Sequence, residues 1–403
     1  MLVADNPIRL WGLTATERLQ RQLQRVGIPL WQDRIETLPA TATLLVLRGD
    51  HMYDSRVISG LAQAHQPLLL EINDGGTIKP VAAHVGAAQA RSSIELIGTA
   101  QAGAAPAGVA TVGVEQIAQG FEIALSKLDR PFVLPVHAAN RHELEQIAFS
   151  GAYKGITDLV TKWLWPMPAQ WVTRFCIRMG FTPNHVTTLS LVLAIAAGVL
   201  FACGEFGWGL LAGWIMTFLD TVDGKLARVT ITYSRFGHYF DHIIDLIHPP
   251  FWYLAWGFGV ALNPAAAASL PLSLPALYWI IFAGYIGGRL CEGAFQLWIA
   301  PFTIFSWRPF DSYNRLITAR RNPNLILLTA GLACARPDLG LLAVAGWTAL
   351  STVILLLRLL QAAAVKAGHG AVSSWLTEIG GNIHERSWAV RIFTRFVPAS
   401  RRS

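Results

Sequence analysis

The sequence predicts an N-terminal α/β domain followed by an all-α membrane domain of six transmembrane helices, with an amphipathic juxtamembrane helix between them. Three observations carry this. The 403-residue chain is 53% hydrophobic and only 14% charged, whereas a soluble domain carries about a quarter charged residues. The imbalance is uneven: apolar runs of spanning length recur between 184 and 366, while 1–150 alternates short apolar strands with amphipathic helices. Basic residues also sort to one side of the apolar runs. The predicted divisions are a soluble unit over 1–150, an interfacial helix and linker over 151–182, the six-helix unit over 183–366 and a basic tail over 367–403.

In the first unit, "ATLLVLRGD" and "PLLLEI" read as buried strands and "VAAHV" as a weaker third. The segment "TATERLQRQLQRVG" reads as a helix. Thr14 with Glu17 forms a capping box, Leu19, Leu23 and Val26 make its buried stripe, and Gly27 ends it. The Ala/Gly-rich "GTAQAGAAPAGVATVG" reads as a loop. No signal peptide is expected at "MLVADNPIRLWGL", which lacks an apolar core and a cleavage site. The four cysteines are scattered without a CxxC pair, which argues against structural zinc and a disulfide framework.

Next comes "GITDLVTKWLWPMPAQWVTRFCIRMGFTP", where Ile156, Leu159, Val160, Trp163 and Leu164 are placed on one face of a helix lying in the membrane interface. The six expected spans cover 185–204, 207–232, 235–262, 274–300, 322–335 and 338–365. Lysines and arginines flank them on one side only, and the opposite loops "GEFGW", "NPAAAASLPLSLP" and "ARPDLG" carry a single arginine between them. Both termini and the turn after the second span are therefore expected in the cytoplasm, which makes the membrane the inner or plasma membrane if the protein is prokaryotic. The net charge of +7 is read as this topology signal, with contact to anionic lipid, and no nucleic-acid partner is expected.

One stretch breaks the apolar pattern. "DTVDGKLARV" closes the second span, and "GHYFDHIID" opens the third. Spacing i, i+3 puts Asp220 and Asp223 on one helical face, and i, i+4 does the same for Asp241 and Asp245. A short turn lets the two faces meet. Four converging carboxylates repel one another unless cations neutralise them. Oxygen ligands suit magnesium or manganese, and two such ions suit a pyrophosphate. Gly224 and Gly237 leave room for close approach of a ligand, Ala227 lies one turn beyond Asp223, and Arg228 offers a fork for phosphate oxygens. Snorkelling helix-end charges are the bland alternative. A cation transporter is the rival from another class, which accounts for the aspartates but not for the glycines, Ala227 and Arg228.

The pattern Asp220-x2-Asp223-Gly224-x2-Ala227-Arg228-x8-Gly237-x3-Asp241-x3-Asp245 resembles the signature of CDP-alcohol phosphotransferases at every fixed position. The six-span layout and "TPNHVTTLS" are similar as well. The resemblance implies a transferase that moves a phospho-alcohol from a CDP-linked donor to a second alcohol, releases CMP, and uses two divalent cations, Mg2+ or Mn2+. It implies Asp220, Asp223 and Asp241 as metal ligands, with Asp245 as the general base that also touches a metal. Asp220, Gly224, Ala227, Arg228 and Gly237 would frame the CDP moiety, and a homodimer is implied. Two donors stay open: CDP-diacylglycerol, or a soluble CDP-inositol-like compound.

Elsewhere in the spans, Arg289 and Glu292 are spaced to pair, or Arg289 belongs to the site. Arg315, Arg320 and Arg321 either contact a phosphate on the acceptor or face lipid headgroups. Arg358 is read as snorkelling, His238 and His242 as packing groups, and Pro249-Pro250 as a kink. The segments "NPIRLWGLTATERLQRQLQRVGI" and "TLLVLRGDHMYDSRVISGLA" resemble part of a sugar or inositol-phosphate nucleotidyltransferase that lacks its glycine-rich loop. The resemblance places Asp50 at a metal-binding aspartate. It implies a degenerate domain serving docking, dimerisation or regulation, with an active cytidylyltransferase as the alternative.

Overall fold

The structure is a computed structural model that describes all residues except 31–36, 38, 100–102, 233–234, 380–386 and 395–403, with the backbone alone for 235–245 and 369. Its N-terminal part is built on a five-stranded mixed sheet. The strands are β1 (Leu2–Asp5), β2 (Thr43–Gly49), β4 (Leu68–Asp74), β5 (Thr77–Gly86) and β6 (Ala110–Gly113), in the order β1-β2-β5-β4-β6. β1 pairs with β2 and β4 with β6 in parallel, while β5 runs antiparallel to β2 and β4.

The apolar run of β2 is continuous because both faces are covered. Leu44 and Val46 point to one side and pack with Ala90 and Ile97 of α3 (Ala87–Thr99). Leu45 and Leu47 point to the other, against Leu19 and Leu23 of α1 (Ala15–Arg25) and Val57, Ile58 and Leu61 of α2 (Ser55–Ala62). The capping box of α1 is present: the Glu17 amide donates to Thr14 Oγ1 at 3.1 Å, and the Thr14 amide donates to Glu17 Oε2 at 2.8 Å. Gly27, just past α1, adopts φ +76°, the left-handed conformation that glycine takes most readily at a helix end. The Ala/Gly-rich segment departs from the expected loop at both ends. α3 reaches Thr99 because Ile97 fills the sheet face, and β6 supplies the free edge of β4 with a partner strand.

Smaller elements join this domain to the rest. β3 (His51–Tyr53) pairs with β9 (Val133–Pro135), β7 (Phe121–Glu122) with β8 (Lys127–Leu128), and α4 (Val114–Ile117) follows β6. α5 (Arg141–Gly151) leads to a π-helical turn at Val160–Leu164 and then to α6 (Pro166–Arg178). The single interfacial stripe expected here is not formed. Ile156 and Val160 are buried, whereas Trp163 and Leu164 are 58% and 59% exposed. The wider π turn and the helix start at Pro166 break the 3.6-residue phase on which that stripe depended.

The helical part consists of α7 (Pro183–Ala202), α8 (Phe206–Val229), α9 (Arg235–Ala261), α10 (Pro264–Ala268), α11 (Leu274–Ala294), α12 (Pro309–Ile317), α13 (Arg321–Ala333), α14 (Pro337–His369), α15 (Trp375–Glu378) and α16 (Trp388–Phe393). The α7–α8, α7–α9, α8–α13, α11–α14 and α13–α14 pairs pack together. Phe201, Met216, Trp252, Trp256, Leu277, Leu325 and Leu341 form the centre of their shared core. At the α13–α14 crossing the helices approach so closely that a Cβ on Gly331 would stand 2.6 Å from Gly340 Cα, which is the reason for small residues at both positions. Among the described residues, three helices are long and apolar enough to cross a membrane: Pro183–Ala202, Leu274–Ile299 and Pro337–Gly368.

Candidate active site

The signature residues with described side chains lie in the last three turns of α8. Asp220 and Asp223 share a face, and each meets a different helix. Asp223 is 4% exposed, and its Oδ2 accepts a hydrogen bond from Thr187 Oγ1 of α7 at 2.7 Å. Asp220 forms an ion pair with Arg321, the first residue of α13. Three helices thus meet around two carboxylates. The side chains of Asp241 and Asp245, with Gly237, His238 and His242, lie outside the described residues. Among the described residues no group of three or more metal-ligating side chains occurs. Asp220 and Asp223 nevertheless supply hard oxygen donors on one helix face, and a buried carboxylate held by a neutral hydroxyl is what a divalent cation would neutralise. These residues fit Mg2+ or Mn2+.

One turn further on, Arg228 folds back over Gly224, where a Cβ would lie 3.2 Å from Arg228 Nη1. Arg228 Nη1 and Lys225 Nζ both donate to the carbonyl of Ala152, each at 3.1 Å. Lys225 Nζ stands 3.4 Å from the centre of the Tyr153 ring. Ala152 closes α5, so both cations sit where unpaired helix carbonyls concentrate negative charge. The reciprocal contact comes from α1. Arg18 Nη1 donates to the Val229 carbonyl at 2.7 Å, and Arg21 donates to that of Thr230. Arg18 is buried, and burial together with Arg21 brings its guanidinium down to about 10. Sequence reasoning missed Arg18 and Arg21, whose partners lie some two hundred residues away.

The four arginines proposed for the acceptor divide. Arg320 forms an ion pair with Glu292. Arg289 lies 3.8 Å from the same carboxylate and donates to Tyr285 Oη at 3.2 Å. Arg321 belongs to the Asp220 cluster. Arg320 and Arg321 each find a carboxylate within the helix packing. Arg315 lies 5.5 Å from the Phe305 ring, and its Nη1 is buried without a hydrogen-bond partner among the described residues. Burial, and then Arg320, lower Arg315 to about 10. A further acid, Asp158, went unnoticed in the sequence. It is buried and accepts from Asn322 Nδ2 at 2.9 Å, from the Thr161 amide at 3.0 Å and from Thr161 Oγ1 at 2.9 Å. Burial pushes its carboxyl up, but Arg315 and these bonds hold it below the ordinary value. The spacing Asp158-x2-Thr161 is a capping pattern that would have signalled it.

In the N-terminal domain, Asp50 faces protein cations. Arg48 Nε donates to its Oδ1 at 2.9 Å, Arg48 Nη2 reaches Oδ2, and His51 Nδ1 lies 2.6 Å from Oδ1. Burial raises this carboxyl, but the bonds from His51 and Arg48 overcome it and hold the group well below the usual carboxylate range.

Comparison with known proteins follows the same geography. Residues 181–290 match the family model for CDP-alcohol phosphatidyltransferases. The phosphatidylinositol phosphate synthase of Mycobacteroides abscessus is 32% identical over 90 residues, which is 21% of this chain and 41% of that protein. Cholinephosphotransferase 1 of Danio rerio is 27% identical over 168 residues, 38% of this chain and 39% of its own. The chain thus spans less than half the length of these relatives. A crystal structure of the Mycobacterium tuberculosis phosphatidylinositol phosphate synthase with CDP-DAG bound covers 47% of this chain and 91% of its own, at 20% identity and a TM-score of 0.36.

Proposed function

We propose, from the match of residues 181–290 to the family model for CDP-alcohol phosphatidyltransferases, that the chain is a membrane-embedded transferase that moves a phospho-alcohol from a CDP-linked donor to a second alcohol and releases CMP. The observation that carries this is the pair Asp220 and Asp223 on one face of α8, joined by Thr187 and Arg321 from two other helices. In the reaction the acceptor oxygen bonds to the β-phosphorus of the donor. The bond from that phosphorus to the bridging oxygen breaks, and its electron pair leaves with CMP. Two divalent cations held by Asp220, Asp223, Asp241 and Asp245 would supply charge neutralisation to the pyrophosphate. Asp245 takes the proton of the acceptor hydroxyl. Gly224, Ala227 and Gly237 leave the CDP moiety room, and Arg228 steadies its phosphates. Arg289, Arg315 and Arg320 are the cations available to an acceptor phosphate, and Arg321 orients Asp220.

We further propose six spans with the site and both termini on the cytoplasmic side. α8 and α9, at 24 and 27 residues, are about 36 and 40 Å long, enough to cross. The distribution of lysine and arginine supports this orientation. The relatives are named for different alcohols, inositol phosphate and choline, so the donor is either CDP-diacylglycerol or a soluble CDP-inositol-like compound. The reading is tested by following CMP release from each donor in membranes carrying the protein. Thr187→Val should lower that release by about tenfold or more, the worth of one hydrogen bond to a charged group. Unchanged release would remove Thr187 from the site.

The N-terminal domain serves as a scaffold in this reading, because Asp50 is committed to Arg48 and His51. The full chain given CTP and an inositol phosphate should release no pyrophosphate. Pyrophosphate release that Asp50→Asn abolishes would restore the cytidylyltransferase alternative.

A further inference from the structure

Asp158 makes more bonds than the turn around it requires. Those from the Thr161 amide and hydroxyl are local, and an uncharged cap would serve that amide equally well. The bond from Asn322 Nδ2, at 2.9 Å, spans 164 positions. Asp158 is 7% exposed and Asn322 5%, and Asn322 Nδ2 also reaches Thr161 Oγ1 at 3.2 Å. Burial works against the charge of Asp158, yet the attraction of Arg315 and these bonds outweigh it. Asn322 is the second residue of α13. The residue before it, Arg321, forms the ion pair with Asp220. Two residues further on, Asn324 Nδ2 donates to Tyr253 Oη of α9 at 3.0 Å. The first turn of α13 is thus pinned to the connector at Asn322 and to α9 at Asn324. Residues of one helical turn move as a unit, so these anchors fix where the Arg321 side chain departs.

We infer that Asp158 is a positioning residue for the transfer reaction: it anchors Asn322, and through the first turn of α13 it holds Arg321 on Asp220. The inference rests on the transferase reading of the Asp220–Asp223 pair. A residue that only stabilises the fold acts whether or not Arg321 is present. An anchor for Arg321 matters to the reaction only while Arg321 is there to be held.

The test is a double-mutant cycle on CMP release by membranes carrying equal amounts of the full-length protein, with the thermal transition in detergent as the folding control. Asp158→Asn keeps the side-chain shape and an acceptor for the Thr161 amide, and removes the charge that Asn322 and Arg315 meet. Asn322→Ala cuts the same tie from the other end. Each should lower release by about tenfold, the worth of one hydrogen bond to a charged group. Should one variant fail to fold, the other completes the cycle. Arg321→Gln lowers release by itself. Adding Asp158→Asn or Asn322→Ala to it should lower release by no more than about twofold further, because groups that act as a unit are not additive. A further loss of about tenfold in the double variants would mean independent effects and overturns the inference. So does release within about twofold of wild type in both single variants. Wild-type membranes that release no CMP from either donor would remove the transferase reading itself, and the inference with it.

Discussion

Replacing Asp223 with asparagine should cut CMP release by about a hundredfold or more while leaving the protein folded and inserted. Asparagine keeps the shape of aspartate and still offers an oxygen to Thr187 Oγ1, which now bonds Asp223 at 2.7 Å. What it removes is the negative charge at a position that is 4% exposed. Groups that act on developing charge in a water-poor site are worth about a hundredfold to a thousandfold in rate. The measurement is release of CMP from a CDP-alcohol by membranes with equal amounts of wild type and variant, with a thermal transition in detergent as the folding control. Release within about threefold of wild type would mean that this carboxylate takes no part in the chemistry. Asp245→Asn tests the proton acceptor in the same assay, and undiminished release would reassign that role. A cation transporter would show no CMP release in wild type at all.

The largest stability effect is expected away from the site, at Arg358. This residue of α14 forms two bonds to Asp311 of α12, Nε to Oδ1 at 2.6 Å and Nη2 to Oδ2 at 2.8 Å. Its guanidinium carbon lies 4.3 Å from the centre of the Trp307 ring. The carboxylate side chain is 2% exposed. Arg358→Leu leaves that carboxylate buried without its cation, a change that costs about 3–5 kcal/mol. The apparent unfolding temperature in detergent should fall by roughly 10 °C. Adding Asp311→Asn should recover most of the loss, since replacing both partners removes the stranded charge.

The pH dependence has a definite sign. Burial, the larger effect, raises the Asp311 carboxyl above its ordinary value in spite of the Arg358 bonds. A folded state that holds its proton to higher pH than the unfolded chain loses stability as pH rises between the two values. Removing Arg358 widens that window upward. The deficit of Arg358→Leu should therefore be smaller at pH 5 than at pH 8. An equal deficit at both would show that lost packing on Trp307, and not the charge, is responsible.

Much of the fold is local enough to read along the chain. The Thr14–Glu17 box, the strands at 43–49 and 68–74 and the helices around the signature all depend on spacings within a few residues. The interfacial stripe failed for the same reason that the others succeeded: it assumed an unbroken 3.6-residue period, and a π turn at Val160–Leu164 shifts the phase. At the site, the common face of Asp220 and Asp223 follows from i, i+3 spacing. Their partners do not follow from any spacing.

By itself, then, the sequence determined where the apolar runs lie, the oxygen-rich character of the signature and the resemblance to one reaction class, since each is a property of residue type at short range. Only the tertiary structure decided that Arg321 meets Asp220, that Thr187 meets Asp223, that Arg358 meets Asp311 rather than the interface, and that α1 caps the end of α8. Each of these joins residues separated by tens of positions or more. An arginine on a helix surface can turn to lipid, water or a neighbour with little local preference, and the packing of α7, α8, α12, α13 and α14 selects which carboxylate or carbonyl lies within its reach.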